Sequence, residues 1–338
     1  MTDESLLTSI LSVLSFYNVT FTLILALLLD KLLGEARQYH YLVGFGWLAQ
    51  QLEQKLNPNT CSRTNKNSTA PLTFEYRNAL LGGFAWLLLV LPLPLLYFLY
   101  LNDLPWYWQI AVDAIMLYLA LGLNSLNQHA MQVYEPLKAN DLTKARHFTG
   151  YLVSRNTEEL TPTEMSRATA ESMLENGHDS VIASMVYYLI GGAPLVIIHR
   201  FANTLDAMWG YKTAQFNAFG YASARLDDIL GFITAKICTL LYAIQGRITL
   251  SLVNAYQQGN LYKSHNGGWV MAAGATVLNK KLGGSAQYNG KVTTSVTLGC
   301  GDNIDVEDIP KSVKIVQRAA LLLAFFVFVW QTLVIFYK

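Results

Sequence analysis

A chain of 338 residues with 52% hydrophobic and 14% charged side chains falls well short of the about 25% charged content of a soluble domain, so lipid is expected to be part of its solvent. Its formal net charge of +1 leaves no basic excess that would argue for a nucleic-acid partner, and Cys61, Cys238 and Cys300 stand too far apart for a CxxC metal site. The opening Met1-Thr2-Asp3-Glu4 lacks the basic start of a secretion signal, so the first apolar segment is expected to be retained.

In chain order, residues 8–29 form the first stretch long enough to cross a bilayer, which takes about 20 apolar residues. Asp30 closes it, at a helix end whose dipole disfavours a carboxylate, so helix stability does not explain its position. Gly34-Glu35-Ala36-Arg37 and His40 follow as a polar elbow before the apolar segment 42–56, in which Glu53 is a further acid. Residues 57–73, with Asn57-Pro58-Asn59, read as a turn-rich, mobile loop. Spans at 79–101 and 106–126 come next.

Thr161-Pro162-Thr163-Glu164 is a capping box that predicts a helix to about Asn176. At roughly 100° per residue, Glu164, Arg167, Glu171, Glu175 and His178 share one face, as a solvated row of i,i+4 pairs or as a functional stripe. The stripe runs through Asn176-Gly177-His178-Asp179 into the fifth apolar stretch, 181–201. There Gly191-Gly192-Ala193-Pro194 predicts a broken or re-entrant helix.

The densest polar cluster lies beyond it: Asn203-Thr204-Leu205-Asp206, Gly210-Tyr211-Lys212 and Arg225-Leu226-Asp227-Asp228. Carboxylates can hold Mg²⁺ while Arg and Lys clamp phosphate oxygens, so a phosphorylated ligand suits this set, as do internal ion pairs. A sixth apolar stretch, 229–250, carries Lys236, Gln245 and Arg247 and reaches membrane depth only if these face protein or water. Residues 261–311, with Gly267-Gly268, Gly283-Gly284 and Gly290, read as irregular or short β structure, and 316–337 is the last clear span.

Lys31, Arg37, Lys55, Arg63, Lys66 and Arg77 follow the first span, whereas Asn102-Asp103-Leu104-Pro105 between the next two has no basic residue. The positive-inside rule therefore puts the N-terminus outside and the first long loop in the cytoplasm. The expected fold class is an all-α polytopic membrane protein, with about five or six apolar helices, amphipathic helices and a Gly-rich cytoplasmic segment. Residues 1–338 are read as one membrane-embedded domain whose polar segments 34–78, 127–180, 202–228 and 254–315 form the site side.

Several long blocks resemble the adenosylcobinamide-phosphate synthase family, known as CobD or CbiB. They are Ser154-Arg155-Asn156-Thr157, Arg167-Ala168, Glu171, Glu175-Asn176-Gly177-His178-Asp179, Gly191-Gly192-Ala193-Pro194, Asn203 to Lys212, and Phe219 to Asp228. Leu29-Asp30-Lys31-Leu32-Leu33-Gly34 with His40 and Gly44, and Asn266-Gly267-Gly268-Trp269 with Leu282-Gly283-Gly284, Tyr288 and Gly290, extend the similarity over most of the chain. The resemblance implies ATP- and Mg²⁺-dependent amide formation between the propionate of a corrinoid, adenosylcobyric acid, and the amine of aminopropanol phosphate or ethanolamine phosphate.

On that reading Asp206, Asp227 and Asp228 bind metal, and Arg155, Lys212 and Arg225 hold phosphate. Glu171 or Glu175 takes the amine proton, Asp179 and Asp206 complete the catalytic acids, and Trp209, Tyr211 and Trp269 lie against the corrin. Asp30, His40, Asn156, Arg167, Asn176, Asn203, Thr204 and Asn266 complete the substrate-binding set. The inner (cytoplasmic) membrane is the implied location. Its bilayer, other membrane enzymes of late cobalamin assembly and a second copy of the chain are the implied partners, with no nucleic acid.

The chain departs from the family pattern, which usually has Asp at Asn156, Pro at Ser184, Pro-Ala-Arg at Thr234-Ala235-Lys236 and Pro-Glu at Val270-Met271. The missing acids suit a non-catalytic membrane sensor similar to AmpE, the alternative reading. The broken helix alone would also suit a transporter, but no internal repeat supports one.

Overall fold

The computed structural model describes residues 14–34, 41–59, 74–153, 156–288 and 291–337. The chain is mainly helical and divides into two compact units, Met1–Gly34, Leu121–Ala183 and Phe232–Lys338 in the first, and Glu35–Ala120 and Ser184–Gly231 in the second. Among the described residues four helical segments are long and apolar enough to cross a membrane: Tyr76–Tyr100, Trp106–Lys138, Pro162–Trp209 and Val306–Phe336. They cover the predicted stretches 79–101, 106–126, 181–201 and 316–337. The chain is thus a polytopic helical membrane protein.

In the first unit, α1 (Asn18–Leu33) is the described part of the first predicted span, and Gly34 ends it at φ 66°. It lies on the last helix, α13 (Ile309–Phe336), where Thr20 donates to Gln331 Oε1 and Gln331 donates to the Phe16 carbonyl at 2.7 Å. Such bonds tie membrane helices that the hydrophobic effect alone does not hold. The amphipathic α6 (Leu123–Lys138) has no side-chain cap of its own. Asp30 supplies it, accepting the Asn124 N–H at 2.9 Å, while the Asn124 amide returns a bond to the Asp30 carbonyl at 2.9 Å. The carboxylate that its own helix dipole disfavours is thereby placed at the positive end of another helix.

Asp30, assigned above to substrate binding, is buried in this capping position. Asp30→Ala strands the Asn124 N–H and is expected to cost about 1–3 kcal/mol of unfolding free energy, with Asp30→Asn retaining most of it. A denaturation titration in detergent reads the difference, and an unshifted Ala variant would count against the cap.

α7 (Leu142–Thr149) leads to α8 (Pro162–Gly177), which starts on the predicted capping box: Thr161 accepts the Glu164 N–H and the Glu164 carboxylate accepts the Thr161 N–H. A π-helical turn, His178–Ile182, runs on into α9 (Ala183–Trp209).

α10 (Tyr221–Ala243) passes from the second unit into the first. The predicted stretch 229–250 is not one span, because the chain turns at 244–247 before α11 (Ile248–Gly259). There Gln245 turns its amide to the Leu241 and Ile315 carbonyls, at 2.9 and 3.0 Å. Residues 261–311 divide. The β reading fails for α12 (His265–Leu278), a helix whose Gly267, Gly268, Gly274 and alanines are buried. These small residues let neighbours approach: a Cβ on Gly274 would lie 2.6 Å from Leu174. It holds for β1 (Lys280–Tyr288), β2 (Lys291–Gly299) and β3 (Asp302–Asn303), a sheet ordered β2-β1-β3 with an irregular register between Gly283 and Ser285.

The second unit contains α2 (Tyr41–Leu56), α3 (Tyr76–Val90), α4 (Pro92–Tyr100), α5 (Trp106–Ala120), most of α9 and the start of α10. α9 is broken as expected, with Gly191 and Gly192 outside helical φ/ψ and Gly192 at φ 66°. Asp113 is buried among apolar helices and accepts the Tyr97 and Tyr188 hydroxyls. Phe45 stacks on Phe201 at 3.9 Å, and Trp86, Trp209 and Phe219 close the core.

Candidate functional site

In the first unit, the middle of the polar stripe on α8 grips the irregular point of β1. Arg167 donates to the Gly283 carbonyl at 3.0 Å and Glu171 accepts the Gly283 N–H at 2.6 Å. The row is therefore not simply a solvated helix face. One turn on, the Glu175 carboxylate rests on the start of α12, so close that a Cβ on Gly267 would lie 2.4 Å from it. Gly267 is the third residue of α12 and donates to its cap, Ser264, at 3.2 Å. A helix N-terminus favours an anion at this point. Asp179, Lys263 and Glu171 are the charged neighbours of Glu175, so three carboxylates and one ammonium collect here.

His178 is buried in the π-turn, its Nδ1 2.7 Å from Asp179 Oδ1 and its Nε2 2.8 Å from Thr234 Oγ1. The Asp179 contact is close in distance but off the direction of a hydrogen bond. Asn176 is folded back onto Ser172, and Asn156 accepts from Glu158 N–H at 2.9 Å in a local turn. Asn266 sits in the first turn of α12. Trp269 donates its indole N–H to Asn260 at 2.7 Å, and one ring face is covered by Lys236, whose Nζ lies 3.0 Å from the ring centre. Burial pushes the Lys236 ammonium down to about 8.

In the second unit, Asn203 on α9 donates to Asp227 on α10 at 3.4 Å, and Thr204 donates back to the Arg200 carbonyl at 2.8 Å. Asp206 accepts the Gly210 N–H on its carbonyl at 2.7 Å, and a Cβ on Gly210 would run into its carboxylate. Trp209 does not offer a face to a ligand: it is 1% exposed and meets Phe219 edge-on at 5.1 Å. Tyr211 is exposed, as is Lys212, on a turn that Gln215 ties to α2 through a 2.8 Å bond to Glu53. Asn57 joins the same buried node through Glu53 and the Gln215 carbonyl, so it is an anchor rather than part of a loose loop.

Arg225 and Asp228 form a 3.9 Å pair, both largely exposed, of the kind that contributes little to stability. Among the described residues no three His, Cys, Asp or Glu side chains meet at metal-binding distance, so Asp206, Asp227 and Asp228 do not form a three-carboxylate centre. Asp227 and Asp228 are adjacent on α10 and point about 100° apart. A groove of 910 Å³ in this unit is lined by apolar groups including Phe74, Leu80, Phe84 and Trp86, and its Tyr221 and Leu226 wall adjoins Arg225 on α10.

His40 and Arg155, with residues 35–40, 60–73, Ser154 and Gly290, lie outside the described residues. Of the remaining candidates, Arg167, Glu171, Glu175, Asp179 and Asn266 sit on the α8–α12 side of the first unit, and Asn203, Thr204, Asp206 and Asp227 in the second. Lys263 and Lys236 were not anticipated. No helix start was read at Ser264, so Lys263 gave no signal, whereas Lys236 already stood out as a charge in an apolar run where the family pattern has Arg.

A family model described as CobD/Cbib protein matches residues 23–316. The chain is 43% identical over 284 residues to "Cobalamin biosynthesis protein CobD" of Stutzerimonas stutzeri (84% of this chain, 88% of that one). It is 41% identical over 307 residues to the protein of the same name from Chromobacterium violaceum (91% and 95%). It is 34% identical over 225 residues to "Cobalamin biosynthesis protein CbiB" of Salmonella typhimurium (64% and 70%). No solved structure matches it.

Proposed function

We propose, on the premise that the chain belongs to the CobD/CbiB family, that it acts in cobalamin biosynthesis as an adenosylcobinamide-phosphate synthase. The match across residues 23–316 carries this reading and favours it over a sensor of the AmpE kind. The reaction joins the propionate of adenosylcobyric acid to the amine of aminopropanol phosphate or ethanolamine phosphate. A carboxylate does not acylate an amine at neutral pH. The carboxylate takes the γ-phosphoryl group of ATP, with ADP leaving, to form an acyl phosphate; the amine attacks that carbonyl, phosphate leaves and the amine gives up a proton.

Glu175 is the proton acceptor in this reading, set at the α12 N-terminus beside Lys263, while Glu171 holds β1 rather than the substrate. Mg²⁺ brought with the nucleotide would neutralise phosphate charge, and it needs only one or two protein carboxylates. Asp227, whose carboxylate takes the Asn203 N–H, is the acid of the second unit that suits it, and Lys212 and Arg225 are exposed cations of that unit for phosphate. Our reading is an inner-membrane protein with its N-terminus outside, and the Lys and Arg that follow the first span support that orientation.

Purified protein supplied with adenosylcobyric acid, aminopropanol phosphate, ATP and Mg²⁺ is expected to accumulate adenosylcobinamide phosphate, and Asp227→Asn to lower the yield by about 10-fold or more. Absence of product from folded wild-type protein with either amino-alcohol phosphate would sink the enzymatic reading.

A further inference from the structure

Arg200 was hidden in the apolar stretch 181–201. It lies one turn before Asn203 and Thr204 on α9, and at about 100° per residue the three share a face. Its Nε is sealed from solvent and meets no acceptor among the described residues. Among the described residues every other sealed polar atom without a hydrogen bond belongs to a side chain that can be neutral, whereas a guanidinium keeps its charge. A permanently charged donor sealed from solvent is costly to leave without an acceptor. Its face becomes more exposed toward the C-terminal end of α9, where Ala207 lies on the surface of the protein.

We infer that Arg200, with Asn203 and Thr204 beside it, is an oxyanion-binding residue for a phosphate monoester group. The side-on edge of a guanidinium, Nε–H with one terminal N–H, matches two phosphate oxygens in one plane, which an ammonium cannot do. The assignment rests on the reading that the chain handles phosphorylated substrates. The phosphate could belong to the amino alcohol, to ATP or to a lipid headgroup.

Full-length protein in nonionic detergent, titrated separately with ethanolamine phosphate, a non-hydrolysable ATP analogue and phosphatidic acid micelles, distinguishes the sources by intrinsic tryptophan fluorescence. At least one probe is expected to bind Arg200→Gln and Arg200→Lys about 10- to 100-fold more weakly than wild type, while ethanolamine without phosphate shows no such difference. If Arg200→Gln does not fold, Arg200→Lys decides. If neither folds, wild-type backbone amides over 196–207 are expected to gain protection from hydrogen exchange on adding one of the phosphate probes. Equal affinity of wild type and Arg200→Lys for all three probes overturns the assignment, as does unchanged exchange in the second case. Product formation is followed in parallel: unchanged phosphate binding by variants of an active enzyme removes the Arg200 role alone. Arg200-dependent binding in a wild type that makes no product keeps that role and removes the synthase reading.

Discussion

Glu175→Gln is expected to lower the rate of amide formation by about 100- to 10,000-fold with little change in folding, the range typical for removing a positioned general base. The substitution keeps the shape of the side chain that rests against Gly267 and removes only its ability to take a proton. Glu171→Gln is the informative contrast, because a glutamine oxygen still accepts the Gly283 N–H that Glu171 holds at 2.6 Å. That variant should retain most activity. Steady-state kcat for the two variants, with circular dichroism to confirm the fold, makes the comparison. A Glu175→Gln enzyme within about threefold of wild type would move the proton acceptor elsewhere, with Asp179 the nearest remaining carboxylate in the same row.

The largest effect on stability is expected at Gly82. A Cβ there would lie 1.8 Å from the Phe219 carbonyl oxygen and 2.7 Å from its carbon, and backbone at that distance cannot step aside as a flexible side chain would. Gly82→Ala should therefore push α3 off the turn that carries Tyr211 and Lys212, at a cost of about 3 kcal/mol or more. The neighbouring Gly83→Ala is the control: its nearest contact is Ala222 Cβ at 3.7 Å, ordinary van der Waals distance. Replacing glycine by alanine in a helix gains up to about 1 kcal/mol when nothing is displaced. Unfolding midpoints in detergent should move in opposite directions for the two variants, and a Gly82→Ala midpoint at or above wild type would refute the contact.

What could be read from the sequence was what is local. The capping box at Thr161 and Glu164 needs only four residues, and the break at Gly191-Gly192 follows from backbone chemistry inside one helix. The apolar spans also announced themselves by length. Contacts between residues far apart in the chain did not. Asp30 looked like an unexplained charge because Asn124 is the group it serves, and the bond that Glu171 accepts from Gly283 left no trace in the sequence.

The α12 helix was hidden by its own packing, since glycine and alanine at 267, 268 and 272–275 resemble a turn-rich segment until Leu174 is set against them. Trp209 shows the converse error. An aromatic inside a polar motif suggested a ligand platform, but it fills the core beside Phe219.

The bond between Asp30 and Asn124 also bears on the order of events at the ribosome. Its two ends are separated by 94 positions, so the first helix leaves the translation machinery with an acid at its end that must wait for two further hydrophobic segments to emerge. Until then that helix has no reason to keep its final depth or tilt. Nascent chains arrested just before residue 123 should hold Asp30 accessible to water-soluble carboxyl reagents, and chains released beyond α6 should not.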